Sequence, residues 1–565
     1  MTESALAHWV PNDDDMPLMD ITLGDMLDRQ VARFHDRPAA IAIDDLRGID
    51  VRWSYGALQQ AANLTARGLI ALGVQPGDHV AVMATNGPEW LRLEYALAKI
   101  GATLVTVNPA LQRDEIAYLL QQGQVRWLVA NPRFRRNDIA AALLSLMPDL
   151  ATAPPGGRGD GAETLPLLKG VIGIGTELPP FALPFDALDC LAKECPDTTL
   201  TARQAAVQPG DVVQIQYTSG TTGKPKGAML THHSVVNNAA LMAARGGYQP
   251  DDVLLSPMPL FHAAGCVCNV IGMLSVGGCV VITESFDPER TLDLWGKLRP
   301  TVFNGVPTMY ARMLDHPTAK GRDLRLRIAN TGGTSIPPVL MKRLLDEHGA
   351  QPMIIMGMTE CSPIITLTDP NDPQEIQFTT SGTPLPHSEI RIVDPETGET
   401  ARFGERGELC IRGYQVTKGY FDMPDKTTET IDADGWLRSG DLAVLEPTGH
   451  LRIVGRLKDM LIRGGENVYP VEIENYLLTH DAISQAQVVG APDPDLGEEV
   501  FAFVKLRDGH TLSPDDVRAF CRAGLARHKL PKYVEIVEDF PMTGNGKIQK
   551  FALREMAARI VEASA

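Results

Sequence analysis

The sequence predicts an α/β protein: a large N-terminal domain of α/β subdomains with parallel sheets and a small β-rich subdomain, then a separate small α+β C-terminal domain. Three observations predict it. Strand-like apolar runs alternate with helical patterns through the first two-thirds. Past Gly382 the texture changes to short strands separated by turns. From about Asp459 onward helix and strand patterns mix again in a short stretch.

In chain order, helices are expected over Leu58–Leu72 and Trp90–Ile100, and strands over His79–Ala84, Ala102–Val107 and Arg126–Ala130. Ala153–Gly161 is rich in Pro and Gly and reads as a flexible surface loop. The most apolar run, Gly265–Ile282, is interrupted by Asn269, Ser275 and the pair Gly277-Gly278. It therefore reads as a buried helix, a turn and a strand over Gly278–Thr283, not as a membrane span. Gly404–Gly413 suggests antiparallel strands and turns, and Asp432–Trp436 a turn. In the last part, Val471–Thr479 and Pro514–Ala526 fit helices, and Gln485–Val489 and Val500–Leu506 fit strands. No internal repeat or heptad array is present.

Composition bounds the function. The chain has 565 residues, 44% hydrophobic and 22% charged, which is ordinary for folded chains of several domains. A net charge of −18 disfavours nucleic acid as a partner but leaves small anions open, because a few local cations can override the global sign. The eight cysteines form no C-x-x-C pair and no zinc spacing, so reduced core thiols in a cytoplasmic protein are expected. Met1–Asp15 carries three consecutive aspartates and no basic segment, unlike a signal peptide. No integral membrane segment is expected, and a homodimer is compatible with the sequence.

The sharpest motif is Tyr217–Gly227, YTSGTTGKPKG. Its glycines permit close backbone approach, Thr218, Ser219, Thr221 and Thr222 supply hydroxyls, and Lys224 and Lys226 supply positive charge. Such a loop can wrap a polyphosphate. The Walker spacing is absent. A plain linker is disfavoured because the strand-like Val212–Gln216 runs directly into it.

This segment resembles the phosphate-binding signature of the acyl-adenylate-forming superfamily, the AMP-dependent synthetases and ligases. Further pieces follow in that family's order: Pro259–Gly265, Gly357–Glu360, Ser439–Asp441, Gly455–Asp459, Arg463–Pro470 and Pro541–Lys547. The resemblance covers nearly the whole chain. It implies an ATP-dependent acyl-CoA synthetase, an acid–thiol ligase. A carboxylic acid reacts with ATP to give acyl-AMP and pyrophosphate, and the CoA thiol then gives acyl-CoA and AMP. Because carboxylate and α-phosphate are both anionic, the first step needs charge neutralisation and alignment more than covalent catalysis.

The resemblance also implies roles. Thr218, Ser219, Gly220, Thr221, Thr222, Gly223, Lys224 and Lys226 would cradle the phosphates of ATP. Glu360 would hold Mg²⁺, a hard cation suited to carboxylate oxygen, and Thr359 would donate to the α-phosphate. Gly333, Thr334, Met356 and Gly357 would lie on the adenine side. Met356 departs from the family pattern, which often places an aromatic there. Asp441 would accept the ribose hydroxyls beside Arg456, and His262 would sit near the substrate carboxylate. Lys547 would bridge carboxylate and phosphate oxygens. Lys458 matches the hinge between an adenylation domain, residues 1–457, and a mobile lid domain, residues 458–565. Lid rotation would present Gly464 and Gly465 to the pantetheine arm of coenzyme A.

Substrate choice is read from the segments that line the family's acyl pocket. They hold Gly265, Gly305, Gly332 and Gly333, small or apolar side chains, and no Lys or Arg; their acid is the metal-site Glu360. A dicarboxylate tail would want a cation and an amino acid an extra acid. An apolar acyl tail in a roomy slot is therefore expected. Arg463–Glu474 and Gly546–Phe551 are similar to medium-chain fatty acyl-CoA synthetases. Aryl or short branched acids are the alternative substrates, and a carrier protein is the alternative acceptor. A serine hydrolase is disfavoured by the lack of a Gly-x-Ser-x-Gly elbow.

Overall fold

The computed structural model of the chain describes residues 5–11, 16–44, 48–157, 164–218, 224–334, 336–542 and 548–564. Strands His79–Met83, Thr103–Thr106, Trp127–Ala130, Gly170–Gly173 and Leu183–Pro184 are parallel neighbours in one seven-stranded sheet. Val212–Thr218 extends that sheet in parallel, and Lys226–Thr231 closes its edge antiparallel. The strands read as continuous apolar runs because both faces are covered. Alternation sends Val80, Val82 and Leu104 into one core and Ala81, Met83 and Val105 into another.

The nine-stranded sheet repeats this logic. Pro38–Asp44, Cys279–Thr283, Val253–Ser256, Val302–Asn304, Ile328–Gly332 and Gln351–Gly357 form its parallel centre. Leu254, Val280 and Ile282 join the same core as Val80, whereas Leu255 and Val281 face another. The two sheets thus share one core, filled by the helices Leu23–Phe34, Tyr55–Leu72, Pro88–Ile100 and His232–Arg245. The Tyr55–Leu72 helix starts where Ser54 Oγ accepts from Ala57 N–H, and ends at Gly73, whose φ of 101° suits glycine.

The run Gly265–Ile282 folds as its sequence predicts, with one difference. Its helix begins as an eight-residue π-helix, Ala264–Ile271, before the α-helix Gly272–Val276, the Gly277 turn and the strand Cys279–Thr283. The predicted loop Ala153–Gly161 is tied down where described: Gly156 N–H donates to the Phe181 carbonyl at 2.9 Å. Its remainder lies outside the described residues.

Past Gly382, the strands Ser388–Val393, Arg406–Gly413, Leu437–Leu445 and Leu451–Arg456 form an antiparallel sheet, to which His8–Trp9 adds an edge. The predicted turn closes through Asp432, whose Oδ1 accepts from Asp434 and Trp436 N–H. A single turn, Leu457–Asp459, leads from this sheet to the next unit. There the hairpin Ile483–Asp493 and Gly497–Leu506 is joined by Tyr533–Ile536 in parallel and by Leu461–Arg463 with Glu466–Val468. One face packs Val500, Ala502 and Val504 on the helices Pro470–Leu477 and Pro514–Gly524. The other packs Phe501 and Phe503 on the C-terminal helix Lys550–Ser564.

The structure bears out the α/β class with a separate C-terminal unit. Among the described residues, no helix is long and apolar enough to cross a membrane. All eight cysteines are free thiols, seven of them buried.

Candidate active site

Parallel sheets carry ligands beyond the carboxyl ends of their strands, and Thr218, Gly333, Thr334, Gly357, Thr359 and Glu360 lie at or past such ends, whereas Asp441 and Arg456 stand on the antiparallel sheet and Gly464 and Gly465 in the C-terminal unit. Val212–Thr218 and Lys226–Thr231 pair so that Thr218 faces Lys226 across the neck of the loop between them. Ser219, Gly220, Thr221, Thr222 and Gly223 lie outside the described residues. Both flanking lysines rest on aromatic rings: Lys224 Nζ lies 4.9 Å from the Tyr118 centroid and Lys226 Nζ 4.1 Å from that of Tyr420. Burial lowers the pKa of the Lys226 ammonium, against a raising influence of Glu360.

Glu360 sits on the single turn Thr359–Cys361 that follows the strand Gln351–Gly357. Its carboxylate is buried, and Oε1 accepts from the Tyr420 hydroxyl at 2.8 Å. Thr359 is half-buried beside it, and Gly357 is exposed at the strand's end. An added Cβ on Gly357 would lie 2.0 Å from the Pro363 carbonyl oxygen, so glycine is required for this close approach. Met356 instead points into the core of the antiparallel sheet, with Cys361, Ile365 and Ile390. Gly333, at φ of 82°, and Thr334 are exposed past the end of Ile328–Gly332.

Asp441 is buried on the strand Leu437–Leu445, directly opposite Arg456, whose Nε lies 2.7 Å from its Oδ1. Ser439 Oγ accepts from Asp441 N–H, and Glu408 Oε1 from Gly440 N–H, so the turn is fixed from both sides. Cys361 joins the two acids: burial first, then the charges of Glu360 and Asp441, pushes its thiol well above the usual range. Lys458 feels Asp441 as well; burial and then Arg456 lower its pKa to about 8.

His262 is half-buried, and its Nδ1 accepts from Ala264 N–H at 3.2 Å, so the neutral ring carries its proton on Nε2. The His262 carbonyl receives Gly265 and Cys266 N–H. The Cys266 thiol accepts from Gln216 Nε2 at 3.2 Å, linking the His262 segment to the strand that enters the phosphate loop. Behind it, Gln216 and Gln214 lead to Glu94, fully buried, whose carboxyl is raised to about 8 by burial.

The roomy slot expected from glycines needs a correction. A Cβ on Gly265 would lie 2.2 Å from the Pro259 carbonyl oxygen, and one on Gly332 2.3 Å from that of Ile355. Those two glycines allow close backbone packing and open no space. Met258, Val306 and Met309 cluster with Ala264 and Phe286 at the strand ends, and the Arg312 guanidinium lies 5.8 Å from the Phe286 ring centroid.

Lys547 lies outside the described residues, but its loop is closed at the base by a bridge between Met542 and Ile548. Gly464 and Gly465, at φ of 59° and 86°, form the two-residue turn between Leu461–Arg463 and Glu466–Val468. That turn bonds within its own sheet, Gly464 N–H donating to the Leu496 carbonyl. Tyr118, Tyr420, Thr417 and Glu94 escaped the sequence reading, since each meets the site through long-range pairing that no local pattern announces.

Among the described residues, no cluster of three or more His, Cys, Asp or Glu could hold a metal. Glu360 alone fits a cation that takes its other ligands from phosphate and water.

The sequence profile of the AMP-binding enzymes matches residues 27–421, and that of the AMP-binding enzyme C-terminal domain matches residues 472–547. YngI of Bacillus subtilis (strain 168), which bears the provisional name of an acyl-CoA synthetase, is 43% identical over 95% of this chain and 97% of its own. The mitochondrial medium-chain acyl-CoA ligase ACSF2 of Mus musculus is 35% identical over 97% of this chain and 89% of its own. Among solved structures, the anthranilate CoA ligase AuaEII in complex with anthranoyl-AMP superposes with a TM-score of 0.83 at 25% identity, covering 98% of this chain and all of that one.

Proposed function

The chain belongs to the AMP-binding enzyme family as an acyl-CoA ligase using ATP and CoA, and from that premise we propose that its acid substrate is a medium-chain fatty acid. The apolar cluster of Met258, Val306, Met309, Ala264 and Phe286 carries this reading, because it offers a carboxylic acid's tail methylene contacts, with the nearby Arg312 guanidinium lying over the Phe286 ring. The likeness to ACSF2 supports it.

In this reading Thr218, Lys224 and Lys226, with residues 219–223, hold the triphosphate. Glu360 would hold Mg²⁺, which when bound neutralises phosphate charge. Thr359 donates its hydroxyl to the α-phosphate. Asp441 accepts the ribose hydroxyls while Arg456 fixes its orientation by their ion pair. Gly333, Thr334 and Gly357 leave an open shelf for the base. His262 presents Nε2–H toward the acid's carboxylate. Lys547 bridges carboxylate and phosphate and then withdraws as residues 458–565 turn about Lys458, bringing Gly464 and Gly465 to the CoA thiol. The free thiols of all eight cysteines support a reducing compartment, which this reading takes to be the cytoplasm.

A panel of carboxylates from C2 to C18 with aryl acids, scored for AMP release with and without CoA, tests the reading. Medium-chain acids should give the highest kcat/KM, changing gradually with each methylene. An aryl optimum would replace this reading with the second one, which the likeness to AuaEII favours.

A further inference from the structure

We propose that Tyr420 is a positioning residue for the Glu360 carboxylate, and that residues 417–421 are a strap tying the phosphate-loop hairpin to the Glu360 turn. The proposal rests on the assignment of Glu360 as the metal carboxylate.

The strap runs alongside the edge strand Lys226–Thr231, joined to it by one isolated bridge and three backbone hydrogen bonds. Met229 N–H donates to the Gly419 carbonyl, Lys418 N–H to that of Met229 and Phe421 N–H to that of Gly227, and Tyr420 bridges Ala228. Its other edge holds the Glu360 turn, Thr417 N–H donating to the Glu360 carbonyl at 2.8 Å. The Thr417 hydroxyl is shared between the Met229 and Gly419 carbonyls, at 2.7 and 3.1 Å.

The side chains repeat the connection. The Tyr420 hydroxyl occupies Glu360 Oε1, and the Lys226 ammonium caps the face of the same ring. Tyr420 and Glu360 are 3% and 6% exposed, so water does not compete for this bond. A buried carboxylate with one oxygen engaged has its other oxygen aimed in a fixed direction. The strap therefore fixes the distance from the last lysine of the phosphate loop to that oxygen, the span that a phosphate-bridging cation has to match.

The test is calorimetric binding of ATP to the full chain without acid or CoA, in excess Mg²⁺ and in EDTA. In Tyr420→Phe the tightening produced by Mg²⁺ should shrink about tenfold, since a bond to a charged acceptor is lost, while affinity in EDTA stays within about twofold. Equal weakening in both buffers, or no change in either, overturns the proposal. A melting temperature near that of the parent shows that the variant folds. Thr417→Val, which loosens the strap without touching the Glu360 side chain, is the second variant and should give a smaller loss confined to Mg²⁺. A loss shared equally by both buffers there also overturns the proposal. Glu360→Gln separates the two readings. If it keeps the full Mg²⁺ tightening, the metal assignment fails and takes this proposal with it. If it loses the tightening while Tyr420→Phe keeps it, only the positioning role falls.

Discussion

The sheets before Lys458 and the unit after it leave opposite things unfinished. Among the described residues, the first part buries polar atoms without partners, including Glu94 Oε2, Asn330 Oδ1, Thr331 Oγ1 and Gln415 Nε2, and the unit from Leu461 onward buries none. That unit, though far shorter, exposes Ile462, Leu496, Met542 and Phe551, as many large apolar side chains among the described residues as the whole first part, which exposes Leu6, Val10, Leu167 and Val339. Each unpartnered buried atom costs about 1–3 kcal/mol, a cost that a core built only for stability would shed. An exposed apolar side chain costs little until several share one face. The difference is one of interior against surface: the first part carries unmet polar atoms inside, whereas the unit from Leu461 onward is satisfied within and carries its apolar side chains more densely at its surface.

The largest expected effect breaks this division at Lys547. Lys547→Ala should cut acyl-adenylate formation by about 10³-fold, as expected for a charge placed at the reacting oxygens. Thioester formation from supplied acyl-adenylate should survive. Half-reaction kinetics decide it, and equal loss of both steps would contradict a lysine needed in one orientation only. Asp441→Asn comes next. It halves the acceptor capacity of a buried carboxylate and leaves the Arg456 guanidinium without its charge partner. The kcat/KM for ATP should fall about 100-fold, with KM for the acid nearly unchanged.

Glu94→Gln tests the first part's buried polarity through stability. The carboxyl titrates near 8 instead of 4.5, so the folded state binds the extra proton between those values. Its contribution to stability is full below about pH 4.5 and is lost as pH rises toward 8. Glutamine removes the titration. The variant should therefore gain on the parent by about 3–5 kcal/mol between pH 5 and pH 8, read from denaturant melts at the two values. A difference independent of pH would show that Glu94 is not held protonated.

How much of this was legible in the sequence follows from the range of each interaction. Strands such as His79–Met83 and Cys279–Thr283 announce themselves because burial on both faces makes them apolar throughout. One parallel partner of Cys279–Thr283, Val253–Ser256, is near in sequence, but the other, Pro38–Asp44, lies more than two hundred residues earlier, and no local pattern names it. The same holds at the site. Thr218, Lys224, Glu360 and Asp441 stand in motifs dense with glycine and charge, so the sequence points to them. Tyr420 is an aromatic beside a glycine until long-range pairing lays it on Glu360. Glycine misleads in the other direction: Gly265 and Gly332 look like room for a ligand, and the fold uses both to bring backbones together.

The smallest expected effect sharpens the comparison from the C-terminal side. Ile462 is 52% exposed on the strand that leads into the Gly464–Gly465 turn, and Leu496 packs beside Gly464. An exposed side chain with few contacts contributes little to its own fold, so Ile462→Ser should leave stability within about 0.5 kcal/mol. If the face is covered only when the unit turns toward the CoA thiol, thioester formation should slow about three- to tenfold while adenylation holds, since one buried branched side chain contributes at most about 1.5–3 kcal/mol. Slowing of both half-reactions alike would place Ile462 on no orientation-specific surface. A fall in stability without any kinetic change would make it part of the unit's own core, and the contrast between an inward-facing body and an outward-facing lid would then fail at its clearest residue.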